Sequence, residues 1–189
     1  MLSPVHRWVV CTMGYRQKEG EITGLEILQD ELHQQCENND SRVLLRAWND
    51  DPSTIAERIW SRRPEEEQPY IVLIGYSYGG YSSVLIAREL KKRGIDVSVL
   101  ILCDAVWRPY WWLPSLLSYL QCWKIKIPEN VKRVYAFFQR TNYPRGHQLE
   151  CNTDKTVVST KLIPGVIHRY MDEDKSFHTI AKRNACPRK

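Results

Sequence analysis

The sequence predicts a three-layer α/β/α sandwich around a mostly parallel central sheet of about six strands, and three observations carry that expectation. Short β-rich apolar runs recur along the chain, helix-like stretches alternate with the first four of them, and the run Tyr70-Ile71-Val72-Leu73-Ile74 has no polar alternation at all. Regular alternation of strand and helix points to parallel pairing, because a right-handed crossover is nearly the only way to join parallel neighbours. An unbroken apolar run fits a central strand covered on both faces.

The candidate strands are Val5 to Met13, Arg42 to Trp48, Tyr70 to Tyr76, Val97 to Cys103, Val131 to Gln139 and Thr156 to Ile163. Gly24 to Cys36 reads as the first helix, since Leu25, Leu28 and Leu32 recur at helical spacing. Pro52 to Arg63 reads as the second, with Asp51 as a cap just before a proline at the first helical position. Tyr81 to Arg93 is the third, and Lys175 to Arg183 is helix-like near the end. Pro64 to Pro69, with its run of glutamates, is an exposed connector. At 189 residues the chain has the size of one domain with one core, residues 1–189. A Trp-rich, lid-like insertion at about 105–124 and a basic C-terminal tail at about 182–189 interrupt the regular pattern.

With 43% hydrophobic and 26% charged residues, the composition excludes a disordered chain. The formal charge of +5 comes from Lys and Arg scattered along the chain, apart from Lys91-Lys92-Arg93 and the tail from Lys182 to Lys189. That distribution reads as solvated surface: no nucleic-acid partner is expected, and an anionic lipid interface is the alternative use of the charge. Cys11, Cys36, Cys103, Cys122, Cys151 and Cys186 form no C-x-x-C pair and have no histidine at zinc-ligand spacing, so no metal site is expected. Cys11 and Cys103 lie inside apolar runs, where cysteine behaves as a small hydrophobe; reduced thiols and a cytoplasmic setting are the expectation, and spacing alone pairs no disulfide. The sequence begins almost directly with the strand-like run His6 to Cys11, so no secretory leader is expected. The longest apolar region, Ala105 to Trp123, is interrupted by Arg108, Pro109 and Pro114 and falls short of a regular span of about 20 residues, so a soluble protein is expected.

The chemistry concentrates in Gly75-Tyr76-Ser77-Tyr78-Gly79-Gly80, a G-x-S-x-G that follows the buried run and precedes a helix. A serine on a tight strand-to-helix turn has strained backbone angles, and its neighbours two positions away must be tiny for the chain to reverse without Cβ clashes, a demand that Gly75 and Gly79 meet. The turn also sets the hydroxyl at the positive end of the helix dipole and aims the Tyr78 N–H at a developing oxyanion. Such a turn could instead bind phosphate, but the Lys-Ser/Thr of a phosphate loop is missing, and no G-x-G-x-x-G follows a strand, so no nucleotide or other cofactor is expected.

On these residues the chain resembles the α/β-hydrolase superfamily, in particular its small lipase, esterase and cutinase-like members, from the first strand through the His168 region. The resemblance implies a minimal α/β-hydrolase fold in which the first strand, not the second, neighbours the nucleophile strand. It implies a triad in the chain order serine, acid, histidine, which excludes His6 and His33 as base because both precede Ser77. His168, after the last strand in Leu162-Ile163-Pro164-Gly165-Val166-Ile167-His168, stands where the family carries its base; His147 and His178 are the alternatives. Asp104 ends the fourth run and emerges at the same sheet edge as Ser77. The fifth run ends Phe138-Gln139-Arg140 with no carboxylate, a departure from the commoner family arrangement that favours Asp104 over Asp154, Asp172 and Asp174. Met13-Gly14-Tyr15 resembles the family's His-Gly-x turn, with Met13 in place of the histidine, and makes the Tyr15 N–H the second oxyanion donor beside Tyr78.

The expected reaction is hydrolysis of a carboxylic ester or thioester through an acyl-enzyme on Ser77, with His168 moving the proton and Asp104 orienting it. Trp107, Trp111 and Trp112, in the insertion after the acid-bearing strand, are the candidate substrate-binding residues, and packing of that aromatic face on the sheet is the competing role. The alternative function is a non-catalytic binding or membrane-surface module on the same fold.

Overall fold

The apolar runs become strands and the amphipathic stretches become the two layers that cover them. In the computed structural model, which describes residues 4–20, 22–36, 40–107, 123–152 and 154–186, the strands are β1 (Arg7–Thr12), β2 (Ser41–Arg46), β3 (Tyr70–Tyr76), β4 (Val99–Cys103), β5 (Ile125–Lys126), β6 (Arg133–Phe138), β7 (Leu149–Glu150) and β8 (Val157–Leu162). The helices are α1 (Gly24–Cys36), α2 (Pro52–Trp60), α3 (Tyr78–Lys92) and α4 (Lys175–Ala185), with a 3-10 helix at His168–Glu173. Six strands form the main sheet in the order β2-β1-β3-β4-β6-β8, and its pairings are parallel throughout. As expected, β1 lies between β2 and the strand leading into Ser77.

Alternation of side chains across the pleat divides the core into two layers. Trp8, Val10, Leu73 and Leu100 face α2 and α3, where Ile55, Ile59, Val84 and Leu90 meet them. Val9, Cys11, Val72, Ile74 and Ile101 face α1 and α4, which contribute Leu25, Leu28, Leu32, Phe177 and Ala181. The central strand has Ile71, Val72, Leu73 and Ile74 fully buried, which is why its sequence shows no polar alternation. Asp51 caps α2 by accepting from Ser53 and Thr54 N–H, with Pro52 following it as read from the sequence.

Three local features differ from the expectation. Helix α3 begins at Tyr78, not Tyr81, because the chain passes from the Ser77 turn straight into helix. The β5/β7 pair and the 3-10 helix are too short to leave a periodic signal. Of the insertion expected at 105–124, residues 108–122, including Trp111 and Trp112, lie outside the described residues, as do 187–189 of the tail.

The cysteines supply a correction. Cys36, at the end of α1, and Cys186, just past α4, are disulfide-bonded with a Cα–Cα distance of 5.7 Å across 150 residues of sequence. Cys11 and Cys103 are free and buried as expected, and burial pushes the Cys11 thiol up to about 12. A stable disulfide is uncommon in the reducing cytosol, so the cysteines no longer argue for a cytoplasmic setting. Among the described residues, no helix is long and apolar enough to cross a membrane.

The cross-link ties together the two helices that cover one face of the sheet. Removing it should cost about 2–4 kcal/mol, with ~5 kcal/mol as the chain-entropy limit for so long a loop. Reductant is therefore expected to lower the chemical denaturation midpoint of the wild-type chain and to have no further effect on Cys36→Ser. A midpoint indifferent to reductant would count against the bond.

Candidate active site

Parallel strands deliver their C-terminal ends to one edge, and hydrogen bonding past the ladder fixes what emerges there. Tyr76 pairs with Cys103, and Cys103 with Phe137. One residue further on, Ser77 N–H donates to Cys103 C=O (3.0 Å) and Asp104 N–H donates to Phe137 C=O (2.8 Å). Ser77 and Asp104 thus leave adjacent strands at matching positions, and Gln139 leaves β6 one position further on.

Ser77 has φ 54° and ψ −124°, a region that non-glycine residues rarely occupy and that costs roughly 1–3 kcal/mol. Contacts on every side hold it. Its carbonyl accepts from Gly80 N–H and Val106 N–H, each at 3.0 Å. Gly75 and Gly79 leave no room for a side chain: a Cβ on Gly75 would lie 2.5 Å from Gly79 O, and one on Gly79 would run into the Thr12 carbonyl. The turn also places the hydroxyl over the first turn of α3, where the helix dipole is positive.

His168 Nε2 lies 2.9 Å from Ser77 Oγ, and His168 Nδ1 lies 2.6 Å from Asp104 Oδ2. Asp104 is fully buried, while Ser77 and His168 are 6% and 8% exposed. A carboxylate acceptor at Nδ1 places the ring proton there and leaves Nε2 to accept from the serine hydroxyl. The three residues expected to act together are joined in one hydrogen-bonded chain.

Residues that sequence reasoning missed hold this chain in place. Gln139 is fully buried; its N–H reaches Asp104 Oδ1 (3.2 Å) and its Nε2 donates to Asp104 Oδ2 (3.0 Å) and to the Asn142 and Pro144 carbonyls. Gly146 N–H donates to Asp104 Oδ1 at 2.8 Å. Asn142 Oδ1 accepts from His168 N–H (2.7 Å), and Tyr76 O–H donates to the His168 carbonyl (2.8 Å) while its ring stacks on the imidazole at 5.3 Å. Burial, chiefly, pushes the Tyr76 phenol well above its ordinary value, which keeps it a donor.

The remaining candidates separate cleanly. His147 is buried, accepts from Trp107 N–H through Nδ1 and donates its own N–H to Ala105 C=O, which makes it structural. His178 points Nε2 at the Asp172 carbonyl (2.7 Å) from within α4. Asp174 caps α4, and Asp154 is exposed in a turn. Asp172 instead accepts from Gln17 Nε2 (2.8 Å) and Leu25 N–H (3.2 Å) on the same oxygen, and Gln17 Oε1 accepts from Gly14 N–H (2.8 Å). It thereby anchors the Met13-Gly14-Tyr15 turn, which lies against Ser77: a Cβ on Gly14 would sit 3.3 Å from Ser77 Cβ. Trp107 stacks on Trp123 at 4.9 Å and meets Tyr81 edge-on, so its ring packs on α3. A cavity of about 460 Å³ lies between β6, β8 and α4, lined by Tyr135, Phe137, Lys161 and Ile180 among others; Ser77, Asp104 and His168 do not line it.

No family model and no curated protein matches the chain. Solved structures do. The RedJ thioesterase from the prodiginine biosynthetic pathway in Streptomyces coelicolor superposes with a TM-score of 0.54 at 11% identity, covering 96% of this chain and 85% of that one. ClbQ from the colibactin NRPS/PKS pathway gives 0.52 at 9% identity, with 95% of each chain covered. The NocB thioesterase domain from the nocardicin cluster, in covalent complex with a fluorophosphonate nocardicin G analogue, gives 0.50 at 16% identity over 96% of this chain and 95% of that one. The likeness is one of architecture, and it shows that this chain has the α/β-hydrolase fold.

Asp172 offers a test of the anchoring network. Burial raises its pKa above the ordinary 3.8, against the opposing pull of Gln17, Leu25 N–H and His178. A carboxyl raised in the fold contributes stability that is complete below 3.8 and lost as pH rises through the folded value. Asparagine can keep the shared acceptor without the charge. Asp172→Asn is therefore expected to match or exceed wild-type Tm at neutral pH and to lose that advantage as pH falls toward 3.8. A variant less stable than the wild type at neutral pH, with the deficit closing as pH falls toward 3.8, would mean that the charge itself is used.

Proposed function

We propose that this chain is a serine hydrolase that cleaves a carboxylic ester or thioester through an acyl-enzyme on Ser77. The observation that carries the reading is the buried chain from Ser77 Oγ through His168 to Asp104, with links of 2.9 and 2.6 Å, at the exit of a strained strand-to-helix turn. A serine hydroxyl is a poor nucleophile until a neutral imidazole takes its proton, and this geometry sets one within reach. The thioesterases among the structural neighbours favour acyl substrates, with oxygen or sulfur as leaving atom.

In the first half-reaction Ser77 Oγ bonds to the substrate carbonyl carbon while its proton passes to His168 Nε2, and Asp104 stabilises the imidazolium formed. The carbonyl oxygen takes up the negative charge between two amides. Tyr78 N–H opens α3, and Tyr15 N–H is the donor of the facing turn, because Gly14 N–H is engaged by Gln17. Collapse of the adduct expels the alcohol or thiol, which takes the proton from Nε2. Water then repeats the sequence on the acyl-enzyme, releasing the acid and restoring Ser77.

A fluorophosphonate probe is expected to label the wild-type chain at Ser77 and to leave Ser77→Ala unlabelled, with ester turnover falling on the order of a million-fold. Undiminished turnover in Ser77→Ala would overturn the reading. The base is checked separately: His168→Gln is expected to abolish turnover, while His178→Gln, whose ring is bonded to the Asp172 carbonyl, keeps most of it. Asp104→Asn should cost about ten-thousand-fold by disturbing the tautomer and orientation of His168. A loss of only a few-fold would remove Asp104 from the triad.

A further inference from the structure

Three aromatic rings that no sequence pattern groups together meet beside Ser77. Tyr15 follows β1 in the turn packed against the nucleophile, Trp48 lies just past β2, and Tyr78 is the residue after Ser77. The Tyr15 and Trp48 centroids are 5.2 Å apart and edge-on at 82°; Tyr78 is 5.7 Å from Tyr15 and 6.1 Å from Trp48, tilted by 50° to each. The shelf is anchored at its base. Ser82 Oγ donates to the Trp48 carbonyl, Met13 N–H to the Arg46 carbonyl, and Gly14 N–H to Gln17, so the loops after β1 and β2 are tied to each other and to α3. Tyr15 nevertheless keeps 40% of its surface exposed, a large ring left partly in solvent next to a nucleophile.

Which part of a substrate meets this shelf follows from proton transfer. The leaving atom must lie within hydrogen-bond reach of His168 Nε2, because that imidazole protonates it. His168 is held through Asp104 at the exit of β4 and through Asn142 in the loop after β6, both on one side of β3 in the strand order. Tyr15 and Trp48 come from β1 and β2, on the other side. With the leaving group on the histidine side and the carbonyl oxygen between the Tyr15 and Tyr78 amides, the acyl group extends over the rings.

Resting on the proposed acyl-enzyme reading, we infer that Tyr15, Trp48 and Tyr78 form the acyl-recognition surface and that its preferred occupant is a planar aromatic acyl group. Inclined rings accept a flat partner in the edge-to-face and offset geometries that aromatic pairs favour, a gain that an alkyl chain of equal area lacks. Trp48 is the specificity-determining residue, since its ring alone of the three belongs to a residue that supplies no oxyanion donor.

The test compares kcat/KM for p-nitrophenyl benzoate and p-nitrophenyl acetate, and in a second arm for phenyl and ethyl benzoate. Trp48→Ala is expected to lower the benzoyl-to-acetyl ratio about tenfold, mainly through KM for the benzoyl ester. Trp48→Phe restores most of that ratio, and the phenyl-to-ethyl ratio stays put. Trp60→Ala, an exposed tryptophan on α2, controls for loss of any surface ring and should move neither ratio. An unmoved acyl ratio in Trp48→Ala overturns the inference, as does a change that follows the leaving group. Failure of the underlying reading looks different: the wild-type chain would then turn over no ester, or turn it over without needing Ser77.

Discussion

The backbone at Ser77 is held where a residue with a side chain seldom rests, at φ 54° and ψ −124°, and much of the molecule serves to keep it there. A cost of roughly 1–3 kcal/mol persists only where the surroundings over-determine the conformation. Here the β3 ladder continues through Ser77 N–H to Cys103, the Ser77 carbonyl is clamped by Gly80 and Val106, and α3 starts at the next residue. Glycine at 75 and 79 is the steric condition for that clamp, since a side chain at either position would strike backbone. The full burial of Ile71 to Ile74 supplies the rigid strand from which the turn is launched.

Around this turn the fold uses two networks of opposite reach. One runs through Asp104, Gln139, Gly146 and Asn142 and holds Asp104 and His168 in a single loop system on the β4/β6 side. The other runs from Asp172 through Gln17 to Gly14 and holds the facing turn on the β1 side. They meet at the segment after β8: His168 opens the 3-10 helix, and Asp172 lies four residues on within it. Tyr76 braces the same segment from below through its hydroxyl and its ring. One short helix therefore sets both the imidazole and the Met13-Gly14-Tyr15 turn, and the disulfide just past α4 secures the helix that follows it.

What was legible in the sequence was what is local. The unbroken apolar run before Gly75, the glycines flanking Ser77 and the carboxylate at the end of Val99 to Cys103 are each readable within a few residues, and they mark Ser77 and Asp104 as candidates. His168 was legible through family order. Trp48 and Gln17 were not, because a ring three residues from a cap and a glutamine in a polar turn carry no periodic signature; Trp48 meets Tyr78 30 positions away, and Gln17 reaches Asp172 155 positions away. The Cys36–Cys186 pair is invisible to spacing rules for the same reason. Tryptophan enrichment after Asp104 drew attention to Trp107, whose ring packs against Trp123 and Tyr81, while the rings beside Ser77 come from three separate stretches of chain.

The placement of the acid shows how an absence in sequence can be a structural statement. The β6 exit carries Gln139 where the commoner arrangement would have a carboxylate, and the Gln139 amide lies 3.0 Å from Asp104 Oδ2. Two carboxylates at such a distance would not both stay ionised, since like charges that close force one to keep a proton. A carboxylate at Asp104 therefore disfavours a second one at the β6 exit and favours a donor there. Glutamine meets that need and uses its remaining capacity to shape the loop, accepting from Thr141 and Asn142 N–H through Oε1. Gly146 completes the enclosure, because a Cβ there would lie 2.6 Å from Asp104 Oδ1. A carboxylate at the β4 exit thus comes with a loop built around it, and the same loop, through Asn142, reaches across to hold the backbone of His168.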